Sequence, residues 1–213
     1  GEILADNPHD PAAEPRQVGT FVRKFYRDGS QVVARHEFLE LDPESQGAGF
    51  AREFNDYLFD WYRHSGVGRV ALLANIDVGG YAWARQDYRF ADTAGFRNVA
   101  ERLIERTNEY EKRILRIQST LASGAGDDAE TLRAELDRLQ PQVNAAWDYL
   151  ARVGISRDDP DPDDLDSDLF DMPDFRPWVV SEIGRPLTGG GRDVQWLGKE
   201  VLLGSEWEGE TWP

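Results

Sequence analysis

Cysteine is absent from this sequence of 213 residues, and histidine occurs only at His9, His36 and His64. Without cysteine the chain has no disulfides, no thiolate nucleophile and no zinc site built on thiolates. Three scattered histidines also argue against a metal site, and we expect none. No stretch approaches the roughly 18 consecutive apolar residues of a membrane-spanning helix. With no visible signal peptide, we expect a cytoplasmic protein.

Basic residues are scarce compared with acidic ones. The chain has 24 Lys and Arg residues against 40 Asp and Glu residues, a formal net charge of −16. Nucleic acids and anionic lipids both attract a basic surface, so we expect neither as a partner. A negative field favours a cationic ligand, such as a cationic peptide or protein.

The first part of the chain predicts strands around one helix. Residues 18–26 and 32–41 alternate between apolar and polar positions and are joined by a hairpin turn signal at 27–30. A helical stripe then covers residues 49–65, and a short apolar strand follows at 69–75. A strand, helix and strand in this order predict a parallel pair formed by a crossover connection.

The turn between strand and helix, residues 42–51, reads Asp-Pro-Glu-Ser-Gln-Gly-Ala-Gly-Phe-Ala. A strand that breaks at a proline and enters a helix through glycines leaves backbone N–H groups unpaired at the helix start. Those donors, together with the positive end of the helix dipole, attract phosphate, and glycine lets a ligand approach the backbone. The turn therefore predicts a site for a phosphate or pyrophosphate.

The rest of the chain has a different character. Residues 92–155 carry two apolar helical stripes separated by a glycine-rich break, which predicts a helical hairpin, and Pro141 is expected to kink or split its second helix. Residues 156–174 form an acidic linker, expected to be extended and solvated. Because its aspartate run lacks the glycine and terminal glutamate of an EF-hand loop, we do not assign calcium to it. Residues 175–213 are rich in Gly and Trp and are expected to pack on the main body or on a partner.

The turn and its flanks resemble motif A of the GNAT superfamily of N-acetyltransferases, whose signature is Gln/Arg-x-x-Gly-x-Gly/Ala. Gln46, Gly49 and Ala51 occupy its first, fourth and sixth positions. Residues 75–90 resemble motif B, so the resemblance covers roughly residues 18–90. It implies an α/β fold: a mixed, mostly antiparallel sheet with a parallel β-α-β core in residues 1–91, and the hairpin as an appendage.

The resemblance also implies a cofactor and an activity. Acetyl-coenzyme A, or another acyl-coenzyme A, would be the co-substrate of an N-acyltransferase, most simply an N-acetyltransferase. Its acceptor would be an amine of a peptide, a protein or a small molecule. In the family the turn binds the pyrophosphate through backbone amides, and the preceding strand pairs with the pantetheine arm. The residues that correspond here are Leu39, Leu41, Gln46, Gly47, Ala48, Gly49, Phe50, Ala51 and Asn75.

A carboxylate near the thioester would suffice as general base, because the acceptor amine must lose a proton. Glu37 and Glu40 are the candidates, with His36 as a third and Asp77 as another at the end of the second strand. Strict strand alternation places Glu37 on the face of Leu39 and Leu41, opposite His36 and Glu40, and we therefore favour Glu37. The backbone N–H of Leu41 would stabilise the oxyanion.

Two positions depart from the family pattern. Trp83 stands where a tyrosine often protonates the leaving thiolate, and indole is not a useful acid. Tyr81 and Tyr88 are nearby in sequence and could replace that tyrosine, as could solvent. Asp87 stands where the family usually has glycine.

The family's amino-terminal strand and two helices are also missing ahead of Gly1. Either the chain is truncated or its helical hairpin covers the acceptor cleft instead. Two functions remain open. The first is the acyltransferase; the second is a non-catalytic GNAT-like module that binds a protein partner through the hairpin or the Trp-rich tail.

Overall fold

The structure is a computed structural model that describes residues 1–5, 12, 14–46, 49–74, 79–124, 126–162, 175–187 and 194–213. The chain divides into two compact units. The first comprises residues 1–73 with 209–213, and the second comprises residues 74–208. Gly47, Ala48, Asn75, Asp77 and most of the predicted acidic linker lie outside the described residues.

The protein is an α/β protein with an open, mostly antiparallel sheet that contains one parallel pair, in the strand order β1-β2-β3-β4-β6-β5. Pairs β1–β2 and β2–β3 are antiparallel, and β3–β4 is parallel. The strands are β1 (Glu2–Ala5), β2 (Arg16–Asp28), β3 (Gln31–Leu41), β4 (Val67–Ala74), β5 (Arg89–Phe90) and β6 (Trp207–Thr211).

Helix α1 (Phe50–His64) belongs to the first unit. The described helices of the second unit are α2 (Gly79–Ala84), α3 (Thr93–Ala122), α4 (Ala129–Arg152), α5 (Pro177–Glu182) and α6 (Leu197–Leu202). Short 3-10 helices occur at Pro43–Ser45 and Gly126–Asp128. Among the described residues, none of these helices is both long and apolar enough to cross a membrane.

The predicted β-α-β crossover is confirmed. Strands β3 and β4 are parallel, with partners from Val32–Val67 to His36–Leu72, and α1 connects them. The crossover forms because α1 has an aromatic face to bury against the sheet. Tyr62 is fully buried, and Phe54 packs edge-on against Phe21 of β2 with ring centroids 5.1 Å apart.

A β-bulge interrupts the pairing of β2 with β3. Val22 is paired with Phe38, but Arg23 is paired with His36, so Glu37 is an extra residue on β3. A bulge reverses the alternation of side chains beyond it. His36 contacts Tyr62 on α1, and Leu41 belongs to a cluster that also packs against Phe50 on α1. The prediction of strict alternation along β3 is therefore wrong after His36.

The second unit contains the helical pair. Helices α3 and α4 pack on one another, and Arg113 on α3 donates to both carboxylate oxygens of Glu135 on α4 (3.0 and 2.9 Å). Helix α4 continues through Pro141, so of the two expected outcomes, a kink or a split, the split does not occur. Pro141 is exposed, and Leu139 and Val143 on either side remain buried, which keeps the packed face continuous across the proline.

The tryptophans of the C-terminal segment divide into two kinds. Trp196 and Trp207 are buried, and Trp196 Nε1 donates to the backbone oxygen of Ser181 (2.7 Å). Trp178 and Trp212 are partly exposed. Part of the Trp-rich segment is therefore core of the second unit.

Candidate functional site

The turn after β3 is held by a side chain that the sequence pattern singled out. Ser45 N donates to Asp42 O (2.8 Å), which closes the 3-10 turn after the strand. Gln46 Nε2 then reaches back to donate to Leu41 O (2.8 Å). The glutamine side chain therefore links the end of the strand to the turn.

Helix α1 begins without a side-chain cap. Its N-cap is Gly49, which adopts the left-handed conformation with φ of 90° and has open space where a side chain would be. Arg52 N and Glu53 N both donate to Gly49 O (3.0 and 3.2 Å). The amides of Phe50 and Ala51 precede these first intrahelical bonds, and they are the donors that a helix start presents to an anion.

The backbone of the last residues of β3 is directed away from β2. Asp42 N donates to Val18 O of β2 (2.9 Å), so the peptide groups of Leu41 point to the opposite side, and those of Leu39 do so by alternation. On that side β4 is paired with β3 only as far as His36–Leu72 within the described residues. The N–H groups of Leu39 and Leu41 thus lie on the side of β3 where that pairing has ended.

Glu37 is held in an ion-pair cluster on the exposed face of the sheet. Its carboxylate accepts from Lys24 Nζ (2.8 Å) and lies 3.3 Å from Arg35 Nε. The hydrogen bond from Lys24, with the charges of Lys24 and Arg35, lowers the pKa of Glu37. A carboxylate stabilised in its charged form is a weaker base. Lys24 is the strand partner of Arg35, so Lys24, Arg35 and Glu37 share one face of the sheet. Leu39 and Leu41 pack with Phe50 of α1 and therefore do not lie on that face.

Glu40 has a different environment. It lies opposite Thr20 of β2, beyond the bulge, and its side chain is exposed. In the described part of the chain no ion-pair partner holds it. Of the two carboxylates that the sequence suggested, Glu40 is the one whose charge is not already compensated.

His36 is a core residue. It is 2% exposed, and a hydrogen bond of 3.0 Å joins its Nε2 to the Tyr62 hydroxyl. Burial, and to a lesser extent the nearby charge of Arg23, lowers the pKa of His36 from its ordinary value of 6.5 to about 2. Burial also raises the pKa of Tyr62. The histidine is therefore neutral at physiological pH and is not exposed to a substrate.

The proposed acid positions belong to the second unit. Tyr81 is half-buried, with its ring edge-on to Trp196 (5.9 Å between centroids) and 5.9 Å from the Lys199 ammonium. Trp83 packs edge-on against Tyr88 at 5.7 Å, and Tyr88 is fully buried. Of the tyrosines near the family's position, Tyr81 is therefore the more accessible.

Two features of the structure have no counterpart in the sequence prediction. Arg23 donates to the backbone oxygen of Phe38 (2.6 Å) beside the bulge, and no feature of the alternating strand sequence indicated this contact. The second is an open cleft in the second unit, lined by Arg85, Asp87, Trp178, Glu182 and Arg185. Its residues come from distant parts of the sequence, and no local pattern connects them.

Among the described residues, no three or more His, Asp and Glu side chains form a group that could hold a metal ion. Comparison with family models, curated proteins and solved structures gives no match for this chain.

Proposed function

We propose that the protein binds an acyl-coenzyme A at the turn between β3 and α1 and transfers the acyl group, most simply acetyl, to an amine. One observation carries the proposal. A bulged strand leaves the peptide groups of Leu39 and Leu41 directed away from β2, and the next α-helix in the chain begins at a cap formed by the left-handed Gly49.

Each part of this arrangement suits one part of coenzyme A. The Phe50 and Ala51 amides and the positive end of the α1 dipole are suited to the pyrophosphate. The Leu39 and Leu41 peptide groups are suited to the amides of the pantetheine arm, which would pair with them as a short strand. Because Gly49 has no side chain, the phosphates have access to the backbone.

The chemistry requires little beyond positioning. The acceptor amine loses a proton to Glu40, directly or through water, and its nitrogen attacks the thioester carbonyl carbon. A backbone N–H of β3 stabilises the tetrahedral oxyanion. The attack forms the C–N bond; collapse then restores the carbonyl and breaks the C–S bond, and the coenzyme A thiolate takes a proton from solvent. Glu37 then has a structural role, pairing β2 with β3 through Lys24.

The backbone at Asp87 also supports the proposal. Asp87 has a φ of 59° and is a non-glycine residue in the left-handed region. It stands where the GNAT family usually has glycine, the residue that adopts this conformation most readily. A left-handed conformation at this position is what the motif B resemblance leads one to expect.

Calorimetric titration with acetyl-coenzyme A tests the binding step. We expect saturable binding, and Gly49→Glu should abolish it by placing a carboxylate at the helix start. Gly66→Glu is the matched control, because Gly66 also has a positive φ (74°) and open space but follows the opposite end of α1. Absence of binding to the wild type at millimolar ligand, or equal loss in both variants, would contradict the proposal.

A second candidate is a non-catalytic GNAT-like module that binds a protein partner. The position of Trp83 and the half-buried Tyr81 ring favour it, because neither offers a freely exposed acid. Release of free coenzyme A in the presence of cationic amines distinguishes the two. Binding of acetyl-coenzyme A without acceptor-dependent release would favour the second candidate.

A further inference from the structure

The second unit contains an open cleft with a volume of about 380 Å³. Its described lining comes from two regions: the residues that follow α2, and helix α5 with the turn after it. The lining residues are Arg85, Asp87, Trp178, Glu182 and Arg185. None of them belongs to the turn between β3 and α1.

Two guanidinium groups are held in position at this cleft. The Glu182 carboxylate accepts from Arg85, and Arg185 Nη1 lies 2.9 Å from each of its oxygens. The Arg185 guanidinium also lies over the Trp196 ring, 5.9 Å from its centroid. A guanidinium has five N–H donors, so sharing one carboxylate leaves each arginine with donors for a second anion.

The charges of the cleft do not cancel. Asp87 accepts from Arg176 at 3.0 Å, so the described charged side chains that line the cleft or pair with its lining are three arginines and two carboxylates. Their sum is one positive charge, in a chain whose net charge is −16. A single negative charge would balance it, whereas a phosphate dianion would reverse its sign.

The remaining described residue of the lining is aromatic. The Trp178 side chain is a large apolar group that is 43% exposed. An exposed indole beside guanidinium groups offers a surface on which a flat or apolar group can stack. The cleft thus combines one anion position with one apolar position.

We propose that this cleft binds a monocarboxylate attached to an aromatic or flat apolar group. The carboxylate bonds to Arg85 and Arg185, and the apolar group packs on Trp178. Such a group occurs in free aromatic acids and in the C-terminal residue of a peptide. The proposal does not depend on acyl transfer, because it uses no residue of the coenzyme A site.

NMR titration of the indole N–H signals of the full chain tests the proposal. The chain has seven tryptophans, and loss of one signal in Trp178→Phe assigns Trp178. We expect 3-phenylpropionate and N-acetyl-phenylalanine to shift the Trp178 signal to saturation. N-acetyl-phenylalaninamide, which has the same ring and no carboxylate, should not. Binding of N-acetyl-phenylalanine without binding of 3-phenylpropionate would identify the C-terminal residue of a peptide as the ligand. Binding of both acids would show that a carboxylate on an aromatic group is sufficient.

Substitutions test the role of the arginines. Arg85→Gln and Arg185→Gln should each weaken binding by about tenfold or more, because each removes charge-assisted hydrogen bonds to the ligand. Arg63→Gln is the matched control, since Arg63 is also an exposed arginine with a single acidic partner, Asp60, but lies on α1. Circular dichroism establishes that each variant is folded.

Three results would overturn the proposal. They are an unshifted Trp178 signal with both acids at about 10 mM, equal shifts from the acid and the amide, and unchanged affinity in both folded arginine variants. Tighter binding of phenyl phosphate than of 3-phenylpropionate would overturn the assignment of a monoanion. The comparison of acid with amide on the wild type stands even where a variant fails to fold.

Discussion

At the scale of single residues, the environment of His36 determines its protonation. The imidazole is buried between β3 and α1, beside the Tyr62 hydroxyl and near Arg23. Desolvation lowers its pKa from 6.5 to about 2, so the folded protein does not take up the proton that the unfolded chain accepts below pH 6.5. His36 is therefore a packed core residue of β3 and does not serve as a base.

This environment predicts a pH dependence of stability. Because the folded pKa is lowered, the contribution of His36 is full above pH 6.5 and is lost as the pH falls below it. Between pH 7 and pH 5 the loss amounts to about 2 kcal/mol. Denaturant unfolding of the wild type and of His36→Gln at both values measures it. The difference in the free energy of unfolding between pH 7 and pH 5 should shrink in His36→Gln and persist in His64→Gln, the control at an exposed histidine. An equal difference in all three proteins would contradict this account.

The two glutamates of β3 give a second prediction at this scale. Glu37 is already paired with Lys24 and Arg35, whereas Glu40 is exposed beyond the bulge. Under the proposed acyl transfer, Glu40→Gln should lower turnover by roughly a hundredfold, typical for loss of a general base. Glu37→Gln should leave turnover nearly unchanged. Rates of coenzyme A release measure both, and the reverse order would restore Glu37 as the base.

At the scale of elements, Pro141 lies inside a helix that does not break. It is exposed in the middle of α4, where proline has no N–H for the helical hydrogen bond. Pro141→Ala should therefore stabilise the protein by about 1–3 kcal/mol. Thermal unfolding measures this gain, and Asp137→Ala, an exposed substitution in the same helix, should gain only the difference in helix propensity. A lower melting temperature for Pro141→Ala would show that the proline is needed by the packing of α4.

The elements also show how far local sequence patterns carry a prediction. Strand β3, helix α1 and strand β4 were predictable because each has its own periodicity and a crossover of that length forces parallel pairing. The bulge at Glu37 was not predictable, because it arises from the register of β2 against β3. For the same reason, strict alternation assigned Glu37 to the wrong face.

The candidate sites differ in the same way. Gln46 and Gly49 form a contiguous motif, so the sequence alone indicated the turn. The charged cleft has no such signature, since Arg85 and Glu182 are 97 residues apart. Helix α1 is an intermediate case: periodicity indicated a helix over residues 49–65, but of its aromatic residues Tyr62 is fully buried whereas Tyr57 and Trp61 are exposed.

At the scale of the whole molecule, net charge governs which acceptors approach. A net charge of −16 produces an electrostatic field that attracts cations, and the range of this field depends on the salt concentration. The screening length is about 30 Å at 0.01 M salt and about 8 Å at 0.15 M. Under the proposed acyl transfer, the KM for a tetraamine acceptor should rise as the salt concentration increases from about 0.01 M to about 0.15 M. The KM for a monoamine acceptor should change much less. Equal salt effects on both amines would argue that the acceptor is bound without help from this field.

The central claim is that coenzyme A binds where β3 ends and α1 begins. A heteronuclear NMR titration of the full chain with coenzyme A tests it residue by residue. We predict the largest amide shifts at Gly49, Phe50 and Ala51, from the pyrophosphate, and at Leu39 and Leu41, from the pantetheine arm. Saturating shifts confined to other residues, or no shifts at millimolar coenzyme A, would contradict the claim.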